Sequence, residues 1–247
     1  MKVGVIGAMD CEIREFCRDF DAVSTGIDGI YKGHHAGHEI YVCLCGIGKV
    51  NAAVCTQRLC DVAGVDCIIN SGVAGSVSKK LKICDVAVSE SLTYHDFEPI
   101  DILDRNSPFT SVFKADEKLV GLAENACKRL AEQKEGFGYA SGLIISGDKF
   151  VSDTNDVQKL NEKFGALCTE MEGAAIAHAA LLNKKPFVVI RAISDNADDD
   201  ADMSFDAMAE IAANFYGHPA DKMKMVGISG TNGKTTTTYM IKSIAEK

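Results

Sequence analysis

The sequence predicts an α/β fold around a largely parallel sheet. The first observation behind this is Phe187-Val-Val-Ile190, a short apolar run rich in β-branched residues and opened by Pro186, which has the make-up of a strand covered on both faces. The second is the start of the chain, where residues 2 to 8 form another such run and pass directly into an acidic turn and a short amphipathic segment ending near Phe20. The third is how the 187–190 run ends: Ser194, Asp195 and Asn196 stand at its carboxyl end, where open α/β sheets place their ligands.

Taken in order, the segments extend this pattern. Glu12 falls just past the carboxyl end of the first strand, on the same side of the sheet as Asp195 if the two strands are parallel. A glutamate in a helix's first turn also has a local use, against the positive end of the macrodipole. Ile30 to Gly46 alternates as a β-hairpin turning near Gly37-His38. His34, His35 and His38 lack a His-Glu-x-x-His frame, so they read as surface residues and no metal site is expected. Gly46-Ile-Gly-Lys-Val-Asn51 opens a helix; Asn51 stands where a dinucleotide fingerprint would have its third glycine, so the glycines read as a tight turn and no cofactor is expected.

Cys67-Ile-Ile-Asn70 is a strand feeding a glycine-rich loop through Ser76. Its glycines allow backbone amides or a flat ligand to approach closely, and would equally serve a plain turn. Asp85 to Ser91 is a further strand ending at Thr93-Tyr-His-Asp-Phe97, and residues 98–113, with Pro99 and Pro108, predict a loop. Lys114 to Leu130 predicts a helix. Gly142 to Val151 predicts a strand ending in a polar elbow, where Phe150 is placed either to stack on a base or to fill the core. Glu170-Met-Glu172 brings two carboxylates to the start of a helix reaching about Leu182, with alanines on every face, as a helix packed within the core would have. Those acids suit a ligand pocket, and they also suit a helix N-terminus. After the acidic run Asp198–Asp202, Ser204-Phe-Asp206 starts a last predicted helix through about Ala213.

Composition narrows the function. The 247 residues allow one large α/β domain or two small ones, with enough chain for a substantial core. A net charge of -9 argues against a nucleic-acid surface and favours a neutral or cationic small substrate. No apolar run approaches the 18 residues of a membrane span. Ten cysteines, with no Cys-x-x-Cys pair, lie mostly in apolar segments and read as reduced core residues of a cytoplasmic protein.

Seven motifs in register, Gly7-Ala-Met9 with Glu12, Gly46-Ile-Gly-Lys-Val-Asn51, Ser71-Gly-Val-Ala-Gly75, Tyr94-His-Asp96, Ser146-Gly-Asp-Lys-Phe150, Glu170-Met-Glu172 and Arg191-Ala-Ile-Ser-Asp195, resemble the 5′-methylthioadenosine/S-adenosylhomocysteine nucleosidases over residues 1–213. The resemblance implies a nucleoside phosphorylase-like fold, a mixed barrel-like central β-sheet flanked by helices, in a homodimer. It implies hydrolysis of the bond between adenine and a thioribose, with no metal or organic cofactor. It implies Asp195 as the general acid at adenine N7 and Glu12 as the base for water. It also implies Glu172 and Met171 at the ribose, and Phe150, Val151 and Ser194 at the base, with Ala8, Ile47, Gly75 and Phe205 lining the pocket. Breaking a ribosyl C–N bond puts positive charge on the sugar and negative charge on the leaving base, so one acid for the base and one carboxylate for water is the arrangement the chemistry needs. The loop at 98–113 is shorter than in familiar relatives, with Ile102 and Phe109 as stand-ins for their covering aromatics.

Residues 214–247 depart from that family and resemble the start of a Mur ligase ATP-binding domain. Gly230, Gly233, Lys234 and Thr235 would form a phosphate loop, although Ile228 occupies the first glycine's place and only 12 residues follow Thr235. The segment therefore reads as a vestigial fragment. A nucleoside phosphorylase, a deoxyfutalosine hydrolase and a non-catalytic nucleotide-binding fusion are the alternatives to the nucleosidase.

Overall fold

The apolar runs become strands of one sheet in a computed structural model that describes residues 1–133 and 136–195. In chain order the elements are β1 (Lys2–Gly7), α1 (Asp10–Asp19), β2 (Val23–Ser24), β3 (Ile30–His35), β4 (His38–Leu44) and α2 (Lys49–Arg58), which continues into a wider turn over Leu59–Ala63. Then come β5 (Cys67–Ser76), β6 (Val86–Tyr94), α3 (Ile102–Arg105), β7 (Phe113–Lys114), α4 (Glu117–Gln133) and β8 (Tyr139–Ser146). The chain continues through α5 (Thr154–Phe164), β9 (Cys168–Glu170), α6 (Gly173–Leu182) and β10 (Phe187–Asp195).

β5 organises the sheet. Along one edge it pairs in parallel with β10, from Ile68 to Gly75. On its other edge it pairs first with β1, at Cys67 to Ile69 and Asn70, and then, antiparallel, with β9 at Gly75 and Ser76. β10 runs antiparallel to β6, β6 parallel to β8 and β8 parallel to β9, which returns to β5. These five strands close a mixed barrel, while β1, β4, β3 and β2 continue from β5 as an open wing. Between its β1 and β9 partners, β5 has no strand on that edge over residues 71–74 among the described residues. Backbone groups left there must find other partners, and a side chain from α1 supplies one.

Small residues let the helices seat closely on this frame. In α6, Gly173, Ala174, Ala175, Ile176, Ala177 and Ala180 are buried, and the helix packs on α2 and on the barrel strands. A β-carbon on Gly173 would stand 2.8 Å from Leu92 Cδ2, so the start of α6 can meet β6 only without a side chain. Ile6, Ile68, Leu92, Ile144, Ile176, Val189 and Ile193 fill the core.

Several elements differ from the sequence reading. The glycine-rich stretch after Asn70 is the second half of β5, because β10 pairs with it through Gly75. The loop predicted over 98–113 contains the short α3, and Phe113 opens β7 against β6. Glu170 belongs to a strand and not to the helix, which begins at Gly173. The helix α5 has the usual sequence marks, with Asp153 Oδ1 accepting the Asn155 and Asp156 N–H groups at 2.9 and 3.0 Å and Gly165 ending it at φ +61°. Cys43 and Cys55 pair sulfur to sulfur in the core, against the reading of all ten cysteines as reduced, with Cα atoms 7.0 Å apart. The predicted helix from Ser204, Phe205 within it, and Gly230, Gly233, Lys234 and Thr235 lie outside the described residues.

Candidate active site

Nine of the predicted site residues line one pocket: Ala8, Glu12, Ile47, Gly75, Phe150, Val151, Met171, Glu172 and Ser194. It lies past the carboxyl ends of β1, β8 and β9 and against the last residues of β5 and β10, so residues from six separate stretches of sequence converge on it.

Glu12 reaches from the first turn of α1 into the gap beside β5. Its Oε2 accepts the N–H groups of Ala8 at 2.7 Å and Met9 at 3.0 Å, and its Oε1 accepts Val73 N–H at 3.1 Å. The contact with Met9 N–H is the local first-turn use anticipated from sequence, while the contact with Val73 aims the carboxylate across the pocket floor. The carboxylate therefore keeps its first-turn contact and also faces the pocket. Gly72, beside Val73, leaves the space that Glu12 and Arg191 fill.

Arg191 lies fully buried on β10 and gathers the acids around itself. It donates to Asn70 Oδ1 at 2.7 Å and to Glu170 Oε2, and stands 3.6 Å from Glu172 Oε2. Burial works against its charge, but Glu170, Glu172 and Glu12 more than offset this and raise its pKa, so it stays a cation. Glu170 is used structurally: Oε2 caps α6 by accepting the Gly173 and Glu172 N–H groups at 2.7 and 3.1 Å, and Ser146 Oγ donates to Oε1. Glu172 is thereby left to face the pocket. Its Oε1 accepts Gly48 N–H at 2.9 Å, and burial pushes its carboxyl up to about 7, with Arg191 pulling the other way and Glu170 adding to the rise.

The opposite end of the pocket is apolar. Phe150 is half exposed at the mouth, Val151 is buried next to it, and Gly75 forms part of the wall. Ser194 Oγ donates to Ala74 O at 3.4 Å, and the backbone of Asp195 is in register with Gly75 across the β10–β5 pair. A flat ring between Phe150 and the Gly75 wall would have its edge toward the end of β10.

Sequence reasoning missed the use of Arg191 and the capping by Glu170. The signal for the first was an arginine inside an apolar strand, which a buried site tolerates only with carboxylate partners. The site sets three carboxylates against one guanidinium, which suits a sugar that gains positive charge. The cations beside it are engaged already, Lys149 with Asp156 and Lys49 with Asp96.

The model of the phosphorylase superfamily matches residues 2–218. A 5′-methylthioadenosine/S-adenosylhomocysteine nucleosidase of Tolumonas auensis is 35% identical over 224 residues, covering 86% of this chain and 94% of its own length. The nucleosidase of Neisseria meningitidis, solved in complex with methylthio-immucillin-A, matches with a TM-score of 0.74 at 37% identity over 90% of this chain and 99% of that one. A futalosine hydrolase mutant of Helicobacter pylori matches with a TM-score of 0.75 at 34% identity over 90% of this chain and all of the other. By motif, fold and descent the chain belongs to the phosphorylase superfamily and, within it, to the 5′-methylthioadenosine/S-adenosylhomocysteine nucleosidases.

Proposed function

We infer that this chain hydrolyses the N-glycosidic bond of 5′-methylthioadenosine and S-adenosylhomocysteine, releasing adenine and the thioribose. The observation that carries the reading is the pairing of Glu12 and Glu172 in one pocket around a buried Arg191, with an apolar cleft for a base beside them. Glu12, oriented by three backbone amides, takes the proton of the attacking water. Glu172 accepts from the ribose hydroxyls, with Met171 against the sugar, and Asp195 delivers a proton to adenine N7 as the bond breaks. Phe150 stacks on the base while the Val151 backbone and Ser194 hold its edge, with Ala8, Ile47, Gly75 and Phe205 completing the walls. No metal or organic cofactor enters this chemistry.

A futalosine derivative is the second reading, favoured by the Helicobacter pylori relative, since the site groups named here address the base and ribose and leave the 5′ substituent open. A phosphorylase would want a cation free for phosphate, where this pocket presents carboxylates.

The protein acts as a homodimer in the cytoplasm, in methionine salvage. Exposed Val50 and Val54, one turn apart on α2, and Leu182 at the end of α6 give it apolar surface to cover in a dimer. The family match runs through residue 218, and beyond it Gly230, Gly233, Lys234 and Thr235 have, in this reading, the pattern of a phosphate loop. The deciding experiment measures adenine release from methylthioadenosine in phosphate-free buffer by the full chain and by Glu12→Gln. Release by the first alone supports the hydrolase, and release that requires phosphate refutes it.

A further inference from the structure

Three segments that are far apart in sequence meet beside the ribose end of the pocket, and one lysine joins them. Lys49 is the first residue of α2, Asp96 follows β6 and Asp148 follows β8. Lys49 Nζ donates to both carboxylate oxygens of Asp96, at 2.7 and 2.6 Å, and lies 3.6 Å from Asp148 Oδ2. Its backbone N–H donates to Asp148 Oδ1 at 2.8 Å, and Asp148 N–H donates in turn to Asp96 Oδ2 at 2.8 Å. The contacts form a closed ring. Burial alone would lift the Asp96 carboxyl, yet Lys49 and the Asp148 amide hold it below its ordinary value.

Each side of the ring is attached to a pocket group. Gly48, immediately before Lys49, has φ +97° and gives its N–H to Glu172 Oε1 at 2.9 Å, and a β-carbon there would stand 3.1 Å from Asp148 Oδ1. Phe150 lies two residues after Asp148 and lines the same pocket. A partly exposed ion pair adds little to fold stability, so a ring of this kind is better placed to set geometry than to hold the fold.

We propose that Lys49 and Asp96 are positioning residues for the reaction: their ion pair, closed by Asp148, fixes the Gly48 amide that holds Glu172 and the elbow that presents Phe150. The proposal rests on the hydrolase reading above. It also has a signature that a merely structural role would lack. Glu172 is faced by Arg191 from β10, Glu170 from β9, Glu12 from α1, Cys45 after β4 and the Gly48 amide before α2. Only the amide is set by the ring. It favours the ionised carboxylate, so loosening it makes Glu172 protonate at higher pH and moves the acid limb of kcat/KM upward.

The test compares the full chain with Lys49→Met, Lys49→Arg, Asp96→Asn and the double variant Lys49→Met/Asp96→Asn, following adenine release from methylthioadenosine across pH together with Tm. The expected result is a loss of about 10- to 100-fold in kcat/KM for Lys49→Met and for Asp96→Asn, with the acid limb raised and Tm nearly unchanged. Lys49→Arg should keep most of the activity, and the double variant should be little worse than either single one, because one ring is broken in each case. An unmoved acid limb, with or without lost Tm, overturns the proposal, as do losses that multiply in the double variant. Absence of release by the parent chain would instead refute the hydrolase reading, and the positioning role with it.

Discussion

Gly72 and Glu12 share one space: a β-carbon built on Gly72 would stand 2.6 Å from Glu12 Oε1 and would overlap the Arg191 guanidinium. The glycine in β5 is therefore what allows an acid from α1 and an arginine from β10 to meet at the pocket floor. It sits in the part of β5 that, among the described residues, has no strand on one edge, so that edge and the site are formed by the same local departure from sheet pairing.

Gly72→Ala should therefore act on activity more than on the fold. Overpacking costs about 1–3 kcal/mol, but the groups displaced are the Glu12 carboxylate, proposed to activate water, and the Arg191 guanidinium beside it. We expect a folded protein with adenine release down about 100-fold. Thermal melting and initial rates on the same sample check this, and near-normal rates would mean that Glu12 can move aside without consequence.

Much of this site was legible in the sequence because its residues sit at the ends of strands that are themselves easy to read. Ser194 stands near the end of a β-branched run and Glu12 follows another, so topology brings both to one pocket whatever the details of the barrel. The closure of the barrel was not legible from periodicity, since β9 has only three residues and its pairing with β5 is set by tertiary contacts. Glu170 and Glu172 show the same limit. Two acids two residues apart look equivalent in sequence, but the strand ends between them, and one becomes a cap paired with Arg191 while the other faces the pocket.

Arg191 tests the first of those roles. Removing one member of a buried ion pair leaves an uncompensated charge and costs about 3–5 kcal/mol. Here Arg191→Met would strand Glu170 together with the nearby Glu172. For a domain of this size each kcal/mol is worth roughly 2–4 °C in Tm. We expect Arg191→Met to melt well below the parent protein and Arg191→Met/Glu170→Gln to recover part of the difference. Equal Tm values for the single and double variants would show that the pair is not coupled.

Glu172 offers a trade between stability and activity. Its folded pKa, about 7, lies above the ordinary glutamate value of 4.5, so the folded state holds this proton more tightly than the unfolded chain does. Stability from this group is greatest at low pH and declines as pH rises from about 4.5 to 7, because the buried site must then accommodate the charge. Glu172→Gln stays neutral and retains an acceptor for Gly48 N–H. Its Tm should therefore exceed that of the parent at pH 8 and match it near pH 4.5, while kcat/KM falls roughly 10- to 100-fold with the loss of the charge proposed to hold the ribose hydroxyls. A Tm difference that is the same at both pH values would remove burial of the charge as its cause.

Asp195 carries the most direct chemical prediction. Its backbone pairs with Gly75 on the adjacent strand, at the end of β10 and next to Ser194, which lines the pocket. A base placed between Phe150 and the Gly75 wall would present an edge there, and the departing adenine carries the negative charge that a proton must neutralise. Asparagine has nearly the same shape and can still donate a hydrogen bond to a ring nitrogen, but it has no proton to transfer. Asp195→Asn should therefore fold, bind methylthioadenosine with an affinity close to that of the parent, and lose roughly 100- to 10,000-fold in kcat. Titration calorimetry with the substrate on the inactive variant, paired with single-turnover adenine release, separates the two effects. Weakened binding with kcat preserved would make Asp195 a base-holding group and move the general acid to another residue, whereas tight binding with little release leaves proton delivery as the step that was lost.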